Sequence, residues 1–349
     1  MFKDWIYAVR TCNVEDPARV DPVGKWLLIS RSCVFSMTLI SGLIGGLLAL
    51  AAGHFRPGLF VLVLVGLVLA HASNNMVNDL FDVLGGVDTE DYPRANYAPH
   101  PILDNMVTKR SLVIAIMVCN LVCLAIAVYL TAVAGWPVLA FAVAGLLTSV
   151  FYVAPPLKLK HRGLGEPAIF LIWGPLMICG TYYVMAGTLS WAVLAASAPY
   201  GIGVTSVLMG KHLDKADKDR AKGVKTLPVV LGDQKGRSST QLLVFGFYII
   251  ITALVVKGWM PWPAILALVS LPRAARFISV LNESVPASPV EAFARAEDVV
   301  PADLKDKLDV RADADTFPLW PLWYVAWGVW WVRVAGGWLV AGLVLGIFW

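Results

Sequence analysis

Two acidic clusters stand at the ends of long apolar runs, Asn78-Asp79-Leu80-Phe81-Asp82 and Asp214-Lys215-Ala216-Asp217-Lys218-Asp219. Carboxylates three or four residues apart on a helix share a face, and hard oxygen donors so arranged suit Mg²⁺, which in turn takes up phosphate oxygens. In the first cluster Asn75, Asn78, Asp79 and Asp82 fall at i, i+3, i+4 and i+7, and Gly85-Gly86 lets the chain turn so that Asp88 can come back. The plainer alternative is a solvated helix end capped by Asn and Asp. Against it, polar side chains continue through Ser73, Asn74 and Asn75 into an otherwise apolar run, where they are costly and usually line a cavity. In the second cluster Asp214 and Asp217 sit i, i+3, with Asp219 just beyond and lysines between. The rival there is a soluble loop whose charges pair locally. Holding a diphosphate needs cations as well as a metal, and Lys158, Lys160 and Arg162, after Tyr152, could supply them; alone, those three would be read as topology determinants.

The elements that must carry these groups follow from composition. The chain is 58% hydrophobic and 15% charged, with a mean hydropathy of +0.70, which marks a polytopic membrane protein. Apolar runs long enough to cross a bilayer are expected near 26–51, 58–77, 111–134, 136–155, 167–187, 191–211, 240–257, 259–281 and 320–348. They are about twice the length of a barrel strand, so the fold class is all-α. Residues 1–25 carry many charges and no signal-peptide pattern, and read as a cytoplasmic N-terminal segment. Lysines and arginines concentrate in the loops at 78–110, 156–166 and 211–239, which puts those loops and the N-terminus on the cytoplasmic side. All candidate chemistry then lies on one membrane face. The two acidic clusters end the second and sixth spans, as a duplicated four-helix unit would give. The five cysteines read as small apolar fillers. Residues 282–318 form a polar linker, with a flap over the site as the alternative, and the tryptophans from Trp320 to Trp331 read as an interfacial belt ahead of the last span, 319–349.

These motifs, in this order, resemble the UbiA superfamily of membrane prenyltransferases. The resemblance rests on Asn78 to Asp88, on Tyr152 with Arg162-Gly163-Leu164-Gly165-Glu166, and on Asp219-Arg220-Ala221-Lys222-Gly223-Val224-Lys225-Thr226-Leu227-Pro228. It covers roughly residues 20–280, within the 26–281 membrane domain. The Arg162 to Glu166 run and the step from Asp82 to Asp88 look most like the branch that prenylates 1,4-dihydroxy-2-naphthoate on the way to menaquinone. The resemblance implies nine helices around a cavity, with Mg²⁺ bridging an isoprenyl diphosphate to Asn78, Asp79, Asp82, Asp88, Asp214, Asp217 and Asp219. It further implies Lys158, Lys160, Arg162, Arg31 and Lys211 on the phosphates, and Asp82, Asp214, Lys158 and Tyr152 as the catalytic set, acting on an aromatic acceptor. Two departures stand out. Lys211-His212-Leu213-Asp214 replaces the branch's asparagines and Arg-Asp, and Asp214 lies five residues before Asp219 where the branch has four. The competing classes are a UbiA-like transferase with a glycerol phosphate or sugar acceptor, a transporter, and a scaffold that has lost catalysis.

Overall fold

Among the described residues nine apolar helices arise as the hydropathy pattern predicts, because a backbone in lipid must satisfy its own hydrogen bonds. The computed structural model describes residues 2–14, 19–300 and 321–348. Eight helices have the length and composition to span a membrane: Ser32–Ala51 (α3), Pro57–Leu84 (α4), Lys109–Ala134 (α6), Gly165–Ala186 (α8), Trp191–Leu213 (α9), Asp233–Val256 (α12), Trp262–Leu281 (α13) and Trp323–Leu345 (α15). The ninth, Pro137–Val153 (α7), is shorter. Between and before them lie Phe2–Thr11 (α1), Pro22–Ile29 (α2), Pro93–Tyr97 (α5), Ala216–Ala221 (α10), Leu227–Leu231 (α11) and Pro289–Ala296 (α14). No strand occurs among the described residues.

The expected 26–51 span is broken. Arg31 sits in the left-handed region at φ 55°, so α2 stops at Ile29 and a 3₁₀ turn starts α3. That break aims the Arg31 side chain inward. Within α8, residues Ile172–Cys179 widen to a π-helix around Pro175, which has no N–H to give. The π segment packs against α9 backbone to backbone: a Cβ on Gly201 would stand 3.0 Å from Gly174 Cα. α15 packs on α3, α9 and α13, so the last helix closes a ring on the first. α6 lies outside, with Met117, Leu121 and Val128 more than half exposed, as a lipid-facing helix requires.

Two sequence expectations change here. The C-terminal tryptophans are not an interfacial belt: Trp323 and Trp331 are fully buried, and Trp331 meets Phe247, Phe277 and Tyr248. The cysteines are not all fillers, since Cys12 and Cys33 form a disulfide that ties the end of α1 to the head of α3. Cys119, Cys123 and Cys179 are free. Of the 282–318 segment, residues 301–318 and their five aspartates lie outside the described residues. The remainder folds back over the bundle, with α14 capped by Ser288 and Tyr324 donating to the Glu283 carbonyl.

Candidate active site

At one end of the ring the three predicted loops do meet. Lys160, in a 3₁₀ turn after α7, donates to Asp82 Oδ2 at 2.7 Å; Arg162 and Lys225 share a β-bridge; and Tyr92, after the glycine turn, donates to Asp219 Oδ1. Lys222 reaches the Gly86 carbonyl and Thr89. Asp79, Asp82, Asp88 and Asp219 are all buried there, which is tolerable for carboxylates only because cations are buried with them.

Each carboxylate has its own surroundings. Asp79 is taken up by two guanidiniums, Arg31 on Oδ1 and Arg94 on both oxygens. Both Asp79 oxygens are thus engaged by arginine N–H groups. Asp82 Oδ2 accepts from Asn78 Nδ2 at 2.9 Å and from Lys160, so Asn78 orients Asp82. Asp88 Oδ2 faces His100 Nε2 at 3.3 Å. His100 Nδ1 accepts the backbone N–H groups of Ile102 and Leu103, which leaves the ring proton on Nε2 to donate to Asp88. Ligand atoms of Asp79, Asp88 and His100 lie within 4.8 Å of one another, yet only the carboxylates can offer a lone pair in that tautomer. Asp219 Oδ2 is buried without a hydrogen-bond partner, an oxygen aimed at something a cation would satisfy.

Neighbouring charges favour the ionised forms of Asp219 and Lys160. Burial pushes the Asp219 carboxyl up, but Lys215, His212 and Lys160, with the Tyr92 hydroxyl, outweigh it and leave it below the usual carboxylate range. Burial lowers the Lys160 ammonium; Asp82, Asp88 and Asp219 overcome that and hold it above an ordinary lysine.

The second acidic cluster is only partly in the site. α9 ends at Leu213, and the following turn rotates Asp214 outward, where it accepts the backbone N–H groups of Tyr324 and Val325 at 2.8 and 3.0 Å and caps α15. Both Asp214 oxygens are therefore engaged by the start of α15. Lys215, four residues before Asp219, turns in and donates to Tyr92 at 3.0 Å. Asp217 is exposed and pairs with Arg220. Lys158 is exposed, and Arg162 is spent on the Pro156 carbonyl, so neither reaches the carboxylates. His212 Nδ1 is held by Glu166 Oε1 at 2.6 Å. The residues that sequence reasoning missed are Tyr92, Arg94, His100 and Lys215; the only signal for them was their place in the loops bearing the acidic motifs.

Below the cluster lies a cavity of about 530 Å³, within the range of small-molecule sites. Asn75, Asn78, Tyr152 and Lys211 line it as expected, with Trp173 from the π segment of α8. Arg10, Thr11 and Cys12 also line it, so the N-terminal segment is part of the wall and not a separate lead-in. Ala296, Val299 and Val300 do the same for the stretch after α14. Six lysine and arginine side chains line the cavity: Arg10, Arg31, Arg94, Lys211, Arg273 and Arg333. No carboxylate joins them among the described lining residues.

The model of the UbiA prenyltransferase family matches residues 38–296. The chain is 27% identical over 258 residues to the 2-carboxy-1,4-naphthoquinone phytyltransferase of Synechocystis, covering 72% of this chain and 81% of that one. To the 1,4-dihydroxy-2-naphthoate octaprenyltransferase of Escherichia coli it is 26% identical, covering 72% and 84%. A solved UbiA homolog from Archaeoglobus fulgidus, bound to GPP and Mg²⁺, superposes with a TM-score of 0.58 over 93% of this chain and all of that one, at 14% identity. At that identity the superposition establishes the fold alone.

Proposed function

The chain belongs to the UbiA prenyltransferase family, and from that membership we propose that it moves an isoprenyl chain from its diphosphate onto an aromatic, quinone-precursor acceptor. It is a multi-pass membrane prenyltransferase; the acceptor class, the metal and the cytoplasmic placing of the site are the parts proposed. The observation that carries the reading is the buried group of Asp82, Asp88 and Asp219, laced with Lys160 and Lys215 and joined through Asn78 to a largely apolar cavity lined by basic side chains. The two naphthoate-type relatives support the acceptor class.

Asp82, Asp88 and Asp219 are the fitting holders of Mg²⁺, with Asp219 Oδ2 the oxygen most in need of a partner. Mg²⁺ bound there would neutralise diphosphate oxygens as a Lewis acid. Lys160, Lys215 and Lys211 face the charge that grows on the diphosphate as its C–O bond breaks, and their attraction is stronger at the transition state than before it. The allylic carbon is left positive. Tyr152, buried on the cavity wall, offers an aromatic face to it, worth about 1–2 kcal/mol when dry, while the apolar walls keep out water. An electron-rich ring carbon of the acceptor then forms the new C–C bond and gives up its proton to the departing diphosphate, which restores the ring, with no covalent enzyme intermediate.

The test is transfer by detergent-purified protein given Mg²⁺, labelled geranylgeranyl diphosphate and, in turn, 1,4-dihydroxy-2-naphthoate, 4-hydroxybenzoate, homogentisate and glycerol phosphate. A labelled aromatic product that is lost with EDTA and in Asp82→Asn upholds the reading. Label only on glycerol phosphate would move the acceptor to the non-aromatic class, and no product with any of them would sink the proposal.

A further inference from the structure

Arg333 lies in the middle of α15, beyond the family match, and its guanidinium lines the cavity. Its Nε donates to Ser36 Oγ at 3.1 Å and its Nη2 to the Cys33 carbonyl, and no carboxylate pairs with it among the described residues. An arginine inside a membrane span is costly and is ordinarily retained for a charged partner or ligand. Arg273, from α13, lies over the Trp330 ring at 4.3 Å, and both arginines line the same cavity. Arg31 and Arg94, by contrast, are both answered by Asp79. The depth of Arg333 follows from its partners. The Ser30 carbonyl meets Asn75 and Thr38 meets His71, so Cys33 and Ser36 stand level with the 71–75 turn of α4. Counting 1.5 Å per residue, that turn is roughly 6–12 Å along the helix from Asp79, about the reach of a bicyclic aromatic acid.

We infer that Arg333, assisted by Arg273, is an anion subsite that binds the carboxylate of the acceptor and so selects aromatic acids over their uncharged counterparts. This rests on the reading of the cavity as the acceptor site. A guanidinium fork matches a carboxylate in shape, and in a dry pocket such a pair discriminates strongly against a neutral analogue. The acceptor is oriented with its carboxylate toward α15 and its electron-rich edge toward the Asp82 end, where the allylic carbon is released. Arg333 is a positioning and specificity residue in this scheme; it does not touch the diphosphate.

The decisive experiment needs no turnover. Trp327 and Trp330 line the cavity, so quenching of tryptophan fluorescence reports occupancy of the full protein in detergent by 1-hydroxy-2-naphthoate or by 1-naphthol, without donor. Wild type should bind the naphthoate at least ~10-fold tighter than the naphthol. Arg333→Gln should erase that preference while leaving naphthol affinity and Mg²⁺-dependent geranylgeranyl diphosphate binding unchanged, and Arg333→Lys should restore part of it. Equal weakening of both probes in Arg333→Gln, or no preference in wild type, overturns the inference. If Arg333→Gln does not fold, Arg273→Gln and the wild-type preference decide. Naphthoate binding through Arg333 in a protein that transfers no prenyl group would leave the subsite standing and remove only the transferase reading.

Discussion

A buried ammonium beside a carboxylate is costly to break from either side, and Lys160 with Asp82 is such a pair. Lys160→Gln should therefore cut turnover by at least ~100-fold, as losing a charge that acts on the leaving group does. Lys158→Gln and Arg162→Gln, both exposed, should stay within about twofold of wild type. The same assay separates the two formerly equivalent aspartates. Asp82→Asn should abolish transfer, whereas Asp214→Asn should keep activity at low temperature and lose about 1 kcal/mol of stability through the weakened cap on α15, seen as a lower melting temperature. Tyr92→Phe removes the hydroxyl between Lys215 and Asp219 and should cost roughly tenfold in turnover. The helical period made Asp82 legible, because a spacing of three to four survives as long as the helix does, whereas Asp88 rested on the glycine turn, Asp219 and Lys160 on the charged loops, and Lys211 on the family resemblance. Asp214 was misjudged because the helix stops one residue earlier, and a single turn then exchanged the inward place of Asp214 for Lys215. His100 and Arg94 could not be found by period at all, since they reach Asp88 and Asp79 from a loop whose path no periodicity encodes.

Helix number and order were readable from hydropathy because the bilayer imposes a minimum length on each apolar run. What length does not encode is how closely two helices approach, and here glycine decides it. A Cβ on Gly45 would stand 2.4 Å from the Ile178 carbonyl of α8, backbone that cannot swing aside. Gly45→Val should push α3 from α8 and lower the melting temperature in detergent, by an amount worth about 1–3 kcal/mol. The contrasting site is Gly246, whose added Cβ meets nothing, so Gly246→Ala should leave melting unchanged or raise it slightly. The N-terminal helix was taken for a lead-in because its charges look soluble. Its role as wall depends on the Cys12–Cys33 link and on Asn13 donating to the Tyr97 carbonyl, contacts between segments distant in the chain.

Taken whole, the molecule is a closed ring whose first and last membrane helices are neighbours, with Arg333 of α15 joined to Ser36 and Cys33 of α3. Hydropathy counted the members of that ring but could not order them around it, since every apolar face is equally acceptable to lipid. Closure also has a meaning in time. A ribosome delivers α3 first and α15 last of the nine, so eight helices are in the bilayer while one side of the chamber is still open to lipid. The carboxylates and lysines of the mouth are all made by residue 219, well before that side is shut. The final helix brings the capped joint at Asp214, the tryptophans and the mid-membrane arginine together. The groups of the carboxylate cluster are thus laid down before the helix that walls the cavity beside them.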